Sequence, residues 1–198
     1  MLNVLAPLAS DSVSTILGFS EIGRGGRLFN AAAVFQRGSV VGLYRKVHPA
    51  INRSIYEAGR ETPVFTVGAL TFGIMICGDS LYPELARVMA LQGAVVLFVP
   101  TNNGMPAAKG GAELIAEARN TDIACAIENS VSVIRADVAG RFSHLVSHGA
   151  SGIVDRDGKV LGSARSLEVD LVVADIDVRP RASVSRPTQT LPRLRSRS

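Results

Sequence analysis

The run Phe72-Gly73-Ile-Met-Ile-Cys77 is apolar to its last residue, then breaks into Gly78-Asp79-Ser80 and resumes at Pro83-Glu84. A buried strand, a polar turn and a helix whose first turn carries Pro and an acid are the only economical reading of that order. The chain must therefore build a strand-turn-helix unit, with a thiol at the junction. A cysteine in that position sits beside backbone N–H groups that favour a thiolate and can hold an oxyanion. Taken alone, a free cysteine is as readily a small core residue.

Upstream lies Val40-Val-Gly-Leu-Tyr44-Arg45-Lys46-Val47-His48-Pro49, a strand that ends in a basic cluster before a proline-bearing loop. A lysine beside a cysteine stabilises the thiolate and the negative charge of a tetrahedral intermediate. Lys46 is the candidate partner of Cys77. A solvated strand end is the alternative for the Arg45-Lys46 pair by itself.

Together the two segments resemble the nitrilase superfamily of carbon-nitrogen hydrolases, whose site is a Glu-Lys-Cys triad. Further segments are similar to the same family: Gly18-Phe-Ser-Glu21 with Leu28-Phe29-Asn30-Ala31-Ala32, Gly93 to Asn103, Ala118-Arg119 through Ser130, Gly149 to Val160, and Asp170 to Asp177. The resemblance implies an α/β fold, a nitrilase-like αββα sandwich, here lacking the first strand-helix-strand portion. It implies Cys77 as nucleophile and Lys46 as stabiliser of thiolate and oxyanion. The N–H of Gly78 would be a second oxyanion donor, and Asn102, Asn103 and Met105 would shape the substrate pocket. Glu57 is either the second glutamate that many members carry between the lysine and cysteine motifs or a plain loop carboxylate.

The family's general-base glutamate lies on an inner strand well before the lysine, which places it upstream of Met1. Glu21 does not replace it, because that position corresponds to a surface strand end. Without the base, the 10²- to 10⁴-fold that acid-base assistance typically contributes is missing. Two readings follow. One is an enzyme that cleaves an amide or N-carbamoyl C–N bond through a Cys77 thioester. The other is a truncated, non-catalytic chain that acts as an oligomer or interaction subunit. The Cys-x-Asp pattern of Cys77-Gly78-Asp79 is similar to amidases and N-carbamoyl hydrolases more than to nitrile hydrolysers.

With 198 residues and mean hydropathy +0.26, the chain suits one sizeable core. The expected organisation is a hydrolase domain over 1–178, incomplete at its N-terminus, and a basic tail over 179–198, extended or disordered. Segments expected to be regular are strands Val13–Phe19, Ala32–Tyr44, Val64–Cys77, Val95–Val99, Ser130–Ala136, Ser151–Asp155 and Leu171–Ile176, with helices Tyr82–Gln92 and Gly111–Cys125. The +4 net charge is concentrated in the tail, where Arg179, Arg181, Arg186, Arg193, Arg195 and Arg197 stand without an acid. The folded part is then slightly acidic, and the tail lacks aromatic residues for stacking on bases, so nucleic acid is not the expected partner.

Cys77 and Cys125 are expected to stay reduced, which suits a cytoplasmic setting. No apolar run reaches membrane length, so no membrane association is expected. His48, His144 and His148 show no metal spacing, and Gly23-Arg-Gly25-Gly26 reads as a turn and not a phosphate cradle. No metal and no cofactor are expected. The partners implied by the resemblance are a small amide or carbamoyl substrate and further copies of the chain, as a homodimer or higher homo-oligomer.

Overall fold

The structure is a computed structural model that describes residues 10, 12–49, 55–106 and 111–179. The basic-tail expectation, beyond its first residue, lies outside the described residues. Two sheets carry the fold. The first is an antiparallel meander of β1 (Thr15–Ile22), β2 (Leu28–Gln36) and β3 (Ser39–Arg45). Five consecutive residues of β2, Ala31 to Phe35, are buried, so this strand is covered on both faces. The expected strand Ala32–Tyr44 is instead a hairpin. Arg37 and Gly38 have φ of 47° and 74°, the left-handed pair that turns one strand into its antiparallel neighbour in two residues.

The second sheet has six strands in the order β12-β11-β8-β6-β5-β4. They are β4 (Val64–Val67), β5 (Leu70–Ile74), β6 (Val96–Thr101), β8 (Ser132–Asp137), β11 (Gly152–Val154) and β12 (Val160–Ser163). The expected strand Val64–Cys77 is also a hairpin, reversed at Gly68, where φ is 59°. β5, β6 and β8 are parallel, and helices α1 (Pro83–Leu91) and α2 (Gly111–Asn129) make the two crossovers. α2 runs past its expected end at Cys125, because Ala126-Ile127-Glu128-Asn129 continues the helix until Ser130 turns to φ 54°. A minor sheet joins β7 (Met105–Pro106), β10 (Leu145–His148) and β9 (Ala139–Phe142), which puts His148 at a strand end.

Alternation along the parallel strands decides what each layer touches. Gly73 and Leu97 face α1, where a Cβ on Gly73 would run into the Met89 sulfur. That close approach needs glycine. Phe72 and Phe98 lie on the opposite face, edge to face at 5.2 Å between ring centroids, and with Ile16 of β1 they line an apolar cleft of 510 Å³ between the sheets. Ala32, Val34 and Tyr44 of the meander join Ile74, Met75, Met89, Val96 and Val99 in one core. The described residues thus stack as helices, six-stranded sheet and three-stranded sheet, three layers of the αββα plan.

The expected strand Leu171–Ile176 is not a strand. Its residues alternate in exposure, with Leu171 and Val173 83% and 79% exposed while Ile176 packs on the core, yet no ladder partner meets it among the described residues. Period-2 patterning was legible, but a strand also needs a neighbour.

Candidate active site

Cys77 stands where β5 ends and a short 3-10 turn, Cys77–Leu81, begins. Its φ is 50°, a conformation that costs a non-glycine residue roughly 1–2 kcal/mol. The turn is held from within by one side chain. Asp79, fully buried, accepts hydrogen bonds from the Ile76 N–H (3.1 Å), the His48 N–H (2.9 Å) and the Tyr44 hydroxyl (2.8 Å). A second support comes from the helix side: Ser80 Oγ donates to the Cys77 carbonyl (2.9 Å) and receives Arg135 Nη2 (3.1 Å). Arg135 is itself clamped by Asp122 of α2 through Nε and Nη2.

Lys46 directly follows β3, and its backbone is pinned by bonds from its N–H to the Asn30 carbonyl and from the Gly59 N–H to its own carbonyl, both 2.8 Å. The side chain is 2% exposed. Its Nζ donates to the carbonyl of Ile76 and lies 3.6 Å from Asp79 Oδ1. Burial pulls the Lys46 ammonium below the usual lysine range, and the charges of Asp79 and Cys77 oppose that shift. Burial, with Asp79 adding to it, pushes the Tyr44 hydroxyl well above the usual tyrosine range. Gly78 adjoins the ammonium, since a Cβ there would stand 3.8 Å from Lys46 Nζ.

The sulfur of Cys77 donates to Asn103 Oδ1 (3.2 Å), and Asn103 is fixed by its own N–H on Asp137 (3.3 Å). Cys77, Gly78, Asn103 and Met105 share a pocket of 190 Å³, completed by Ser80, Leu81, Arg135 and one face of α2. Asn102 points elsewhere. It accepts from Ser147 Oγ (3.1 Å) and lines a separate hollow with Gly104 and Leu145. Glu57 is likewise apart: half exposed, it pairs with Arg27 Nη1 (3.4 Å) and lines a pocket with Phe29 and Arg45. Glu21 is bound bidentately by Arg45 at 2.6 and 2.7 Å, at the end of β1.

Sequence reading named Asp79 only as part of a motif and overlooked Arg135. Their importance comes from contacts across 31 to 55 positions of chain, which no local pattern displays. Chemically, the arrangement offers a thiol on a strained backbone, a buried ammonium bonded to the carbonyl of the residue before it, and the N–H groups that begin a helical turn and lack intrahelical partners. Among the described residues, no carboxylate hydrogen-bonds the Cys77 sulfur. Among the described residues, too, no helix is long and apolar enough to cross a membrane.

Residues 9–184 match the sequence profile of the carbon-nitrogen hydrolases. The chain is 31% identical over 176 residues to a nitrilase of Pyrococcus abyssi, covering 88% of this chain and 63% of that protein. It is 30% identical over 165 residues to the N-carbamoylputrescine amidase of Solanum tuberosum, covering 76% and 55%. Among solved structures, a carbon-nitrogen hydrolase of Helicobacter pylori superposes with a TM-score of 0.80 at 26% identity, over 89% of this chain and 66% of that one. The chain therefore spans 55–63% of the length of these two curated relatives. With its nitrilase-like fold and a profile match over most of its length, the chain belongs to the carbon-nitrogen hydrolase family, within the nitrilase superfamily.

Proposed function

We propose that the chain carries the acyl-transfer centre of an amide or N-carbamoyl hydrolase, with Cys77 as nucleophile. The observation that carries this reading is the lysine-locked turn: Lys46 Nζ on the Ile76 carbonyl, with Asp79 beneath both, beside a cysteine held at positive φ. The sulfur attacks the carbonyl carbon, and the electron pair moves to an oxygen held by the Lys46 ammonium and the Gly78 N–H. Each such donor is typically worth about 10²- to 10³-fold in kcat. Collapse of the intermediate breaks the C–N bond, the thiol proton leaves with the amine, and water then hydrolyses the thioester to regenerate Cys77.

Proton transfer in this scheme needs a base close to the sulfur. The family resemblance assigns it to a glutamate, and the described residues supply no carboxylate bonded to Cys77. The reading therefore gives that role to a carboxylate from outside the described residues. The same observation favours a second reading, a non-catalytic chain that contributes an interaction surface.

Amide and carbamoyl substrates are supported by the Cys-x-Asp pattern and by likeness to plant N-carbamoylputrescine amidases. Asn103 and Met105 are assigned to the substrate pocket, and Asn102 and Glu57 to supporting positions outside it. A cytoplasmic setting is in keeping with two unpaired cysteines, and homo-oligomerisation with the family resemblance. The test is turnover of small aliphatic amides and N-carbamoyl amines by the full chain and by Cys77→Ala. Hydrolysis lost in the variant supports the reading; hydrolysis that survives removes Cys77 from the mechanism.

A further inference from the structure

The pocket around Cys77 is electrically one-sided. Two of its lining side chains carry charge, Arg135 and Glu117. Arg135 is 3% exposed, and its donors are taken by Asp122, Thr101 and Ser80, so its charge is matched inside the protein. Glu117 is exposed and has no ion-pair partner among the described residues. It stands on the same face of α2 as Leu114 and Thr121, at the three- and four-residue offsets that bring helical side chains together, and Ala118 lines the pocket beside it. Leu81, Met105, Leu114 and Ala118 give the pocket an apolar lining beside the neutral polar Ser80, Asn103 and Thr121.

A pocket with apolar walls and one carboxylate that pairs with no cation among the described residues suits a short methylene chain that ends in a cation. We propose that Glu117 is a specificity-determining residue that selects substrates with an aminoalkyl group next to the scissile bond and disfavours anionic ones. The inference rests on the reading of Cys77 as the nucleophile. Glu117 acts on binding and takes no part in bond making, so its effect is a charge preference in whatever reaches the sulfur.

The test reads alkylation of Cys77 in the full chain and needs no turnover. N-(2-aminoethyl)-2-chloroacetamide and its neutral isostere N-propyl-2-chloroacetamide each lose chloride to the attacking sulfur, with formation of one C–S bond. Second-order rate constants, measured by mass spectrometry at low salt, are normalised to the reaction of each reagent with a free thiol in solution. An exposed ion pair predicts a preference of about three- to fivefold for the cationic reagent. The preference falls to near one in Glu117→Gln, inverts in Glu117→Lys and weakens with added salt. A ratio of one in the unaltered chain, or a preference that persists in Glu117→Gln, overturns the proposal. Amide turnover measured alongside separates the two levels: a preference without turnover counts against the acyl-transfer reading alone, and turnover without a preference counts against Glu117 alone.

Discussion

Lys46 and Asp79 form a buried pair, Nζ to Oδ1 at 3.6 Å, with side chains 2% and 0% exposed, directly beneath the turn that presents Cys77. Neither charge meets water. Each is tolerable because of the other and because Asp79 collects three further donors from Tyr44, His48 and Ile76. The pair makes the geometry of the Cys77 turn and the stability of the domain parts of one arrangement.

Asp79→Ala strips those donors of their acceptor and leaves the Lys46 charge buried alone. Breaking such a pair from one side costs about 3–5 kcal/mol. Urea unfolding should show that loss, with a smaller one for Asp79→Asn, which keeps the shape and an amide oxygen. Because Asp79 acts through the turn and through Lys46, Asp79→Asn should slow alkylation of Cys77 in protein that is still folded. An alkylation rate unchanged in folded Asp79→Asn contradicts the positioning role.

Lys46 gives stability a definite pH slope. Its folded pKa lies below the ordinary 10.5, so between the two values the unfolded chain holds a proton that the folded chain has released. Stability must rise with pH across that window, and the cost of burying the charge is fully present only below it. Cys125 works in the other direction, because burial, with Asp122 adding to it, pushes its thiol up to about 12 from the ordinary 9.0. Its stabilising contribution fades as pH climbs past about 9. Unfolding free energies up to pH 10 in a Cys125→Ala background should therefore climb on approach to alkaline pH, and Lys46→Met should flatten the climb.

The two cysteines should separate in a labelling experiment. Cys77 opens on the pocket it shares with Asn103 and Met105, whereas Cys125 packs against the core with its thiol held neutral well above pH 8. Iodoacetamide at pH 8 should modify one thiol per folded chain. Peptide mapping should find it at Cys77, and Cys77→Ala should lose it; equal modification of both sites would refute the assigned environments.

Gly73 is predicted to resist any side chain. A Cβ there meets the Met89 sulfur and a Leu97 methyl, so Gly73→Ala should destabilise by about 1–3 kcal/mol through displacement of α1 from β5. Gly73→Ala combined with Met89→Ala should recover part of the loss, which a double-mutant cycle in urea would measure.

How much of this was legible beforehand depends on whether the information is local. The β5-turn-α1 unit and the approximate place of Lys46 follow from apolar runs, a proline and a basic strand end, all visible over a dozen residues. The hairpin at Gly68 was hidden, because the apolar run continues through its turn without the usual polar break, in Val64-Phe-Thr-Val-Gly-Ala-Leu-Thr-Phe; the one at Arg37-Gly38 carried its signal in Gln36-Arg37-Gly38-Ser39, a polar break between two apolar runs. Asp79, Arg135 and Asp122 take their meaning from partners on other strands and helices. Glu57 and Asn102 have sequence positions that suit a site, yet Glu57, in the loop before β4, and Asn102, just past the end of β6, line neighbouring pockets.

The central claim, acyl transfer to Cys77, is tested most directly by intact-mass spectrometry of the full chain during incubation with a small amide, quenched in acid and mapped by peptide. The account predicts a mass increase equal to the acyl group, located on Cys77, sensitive to hydroxylamine as a thioester is, and absent from Cys77→Ala. Hydrolysis that proceeds in Cys77→Ala, or an acyl group that maps to any other residue, would contradict it.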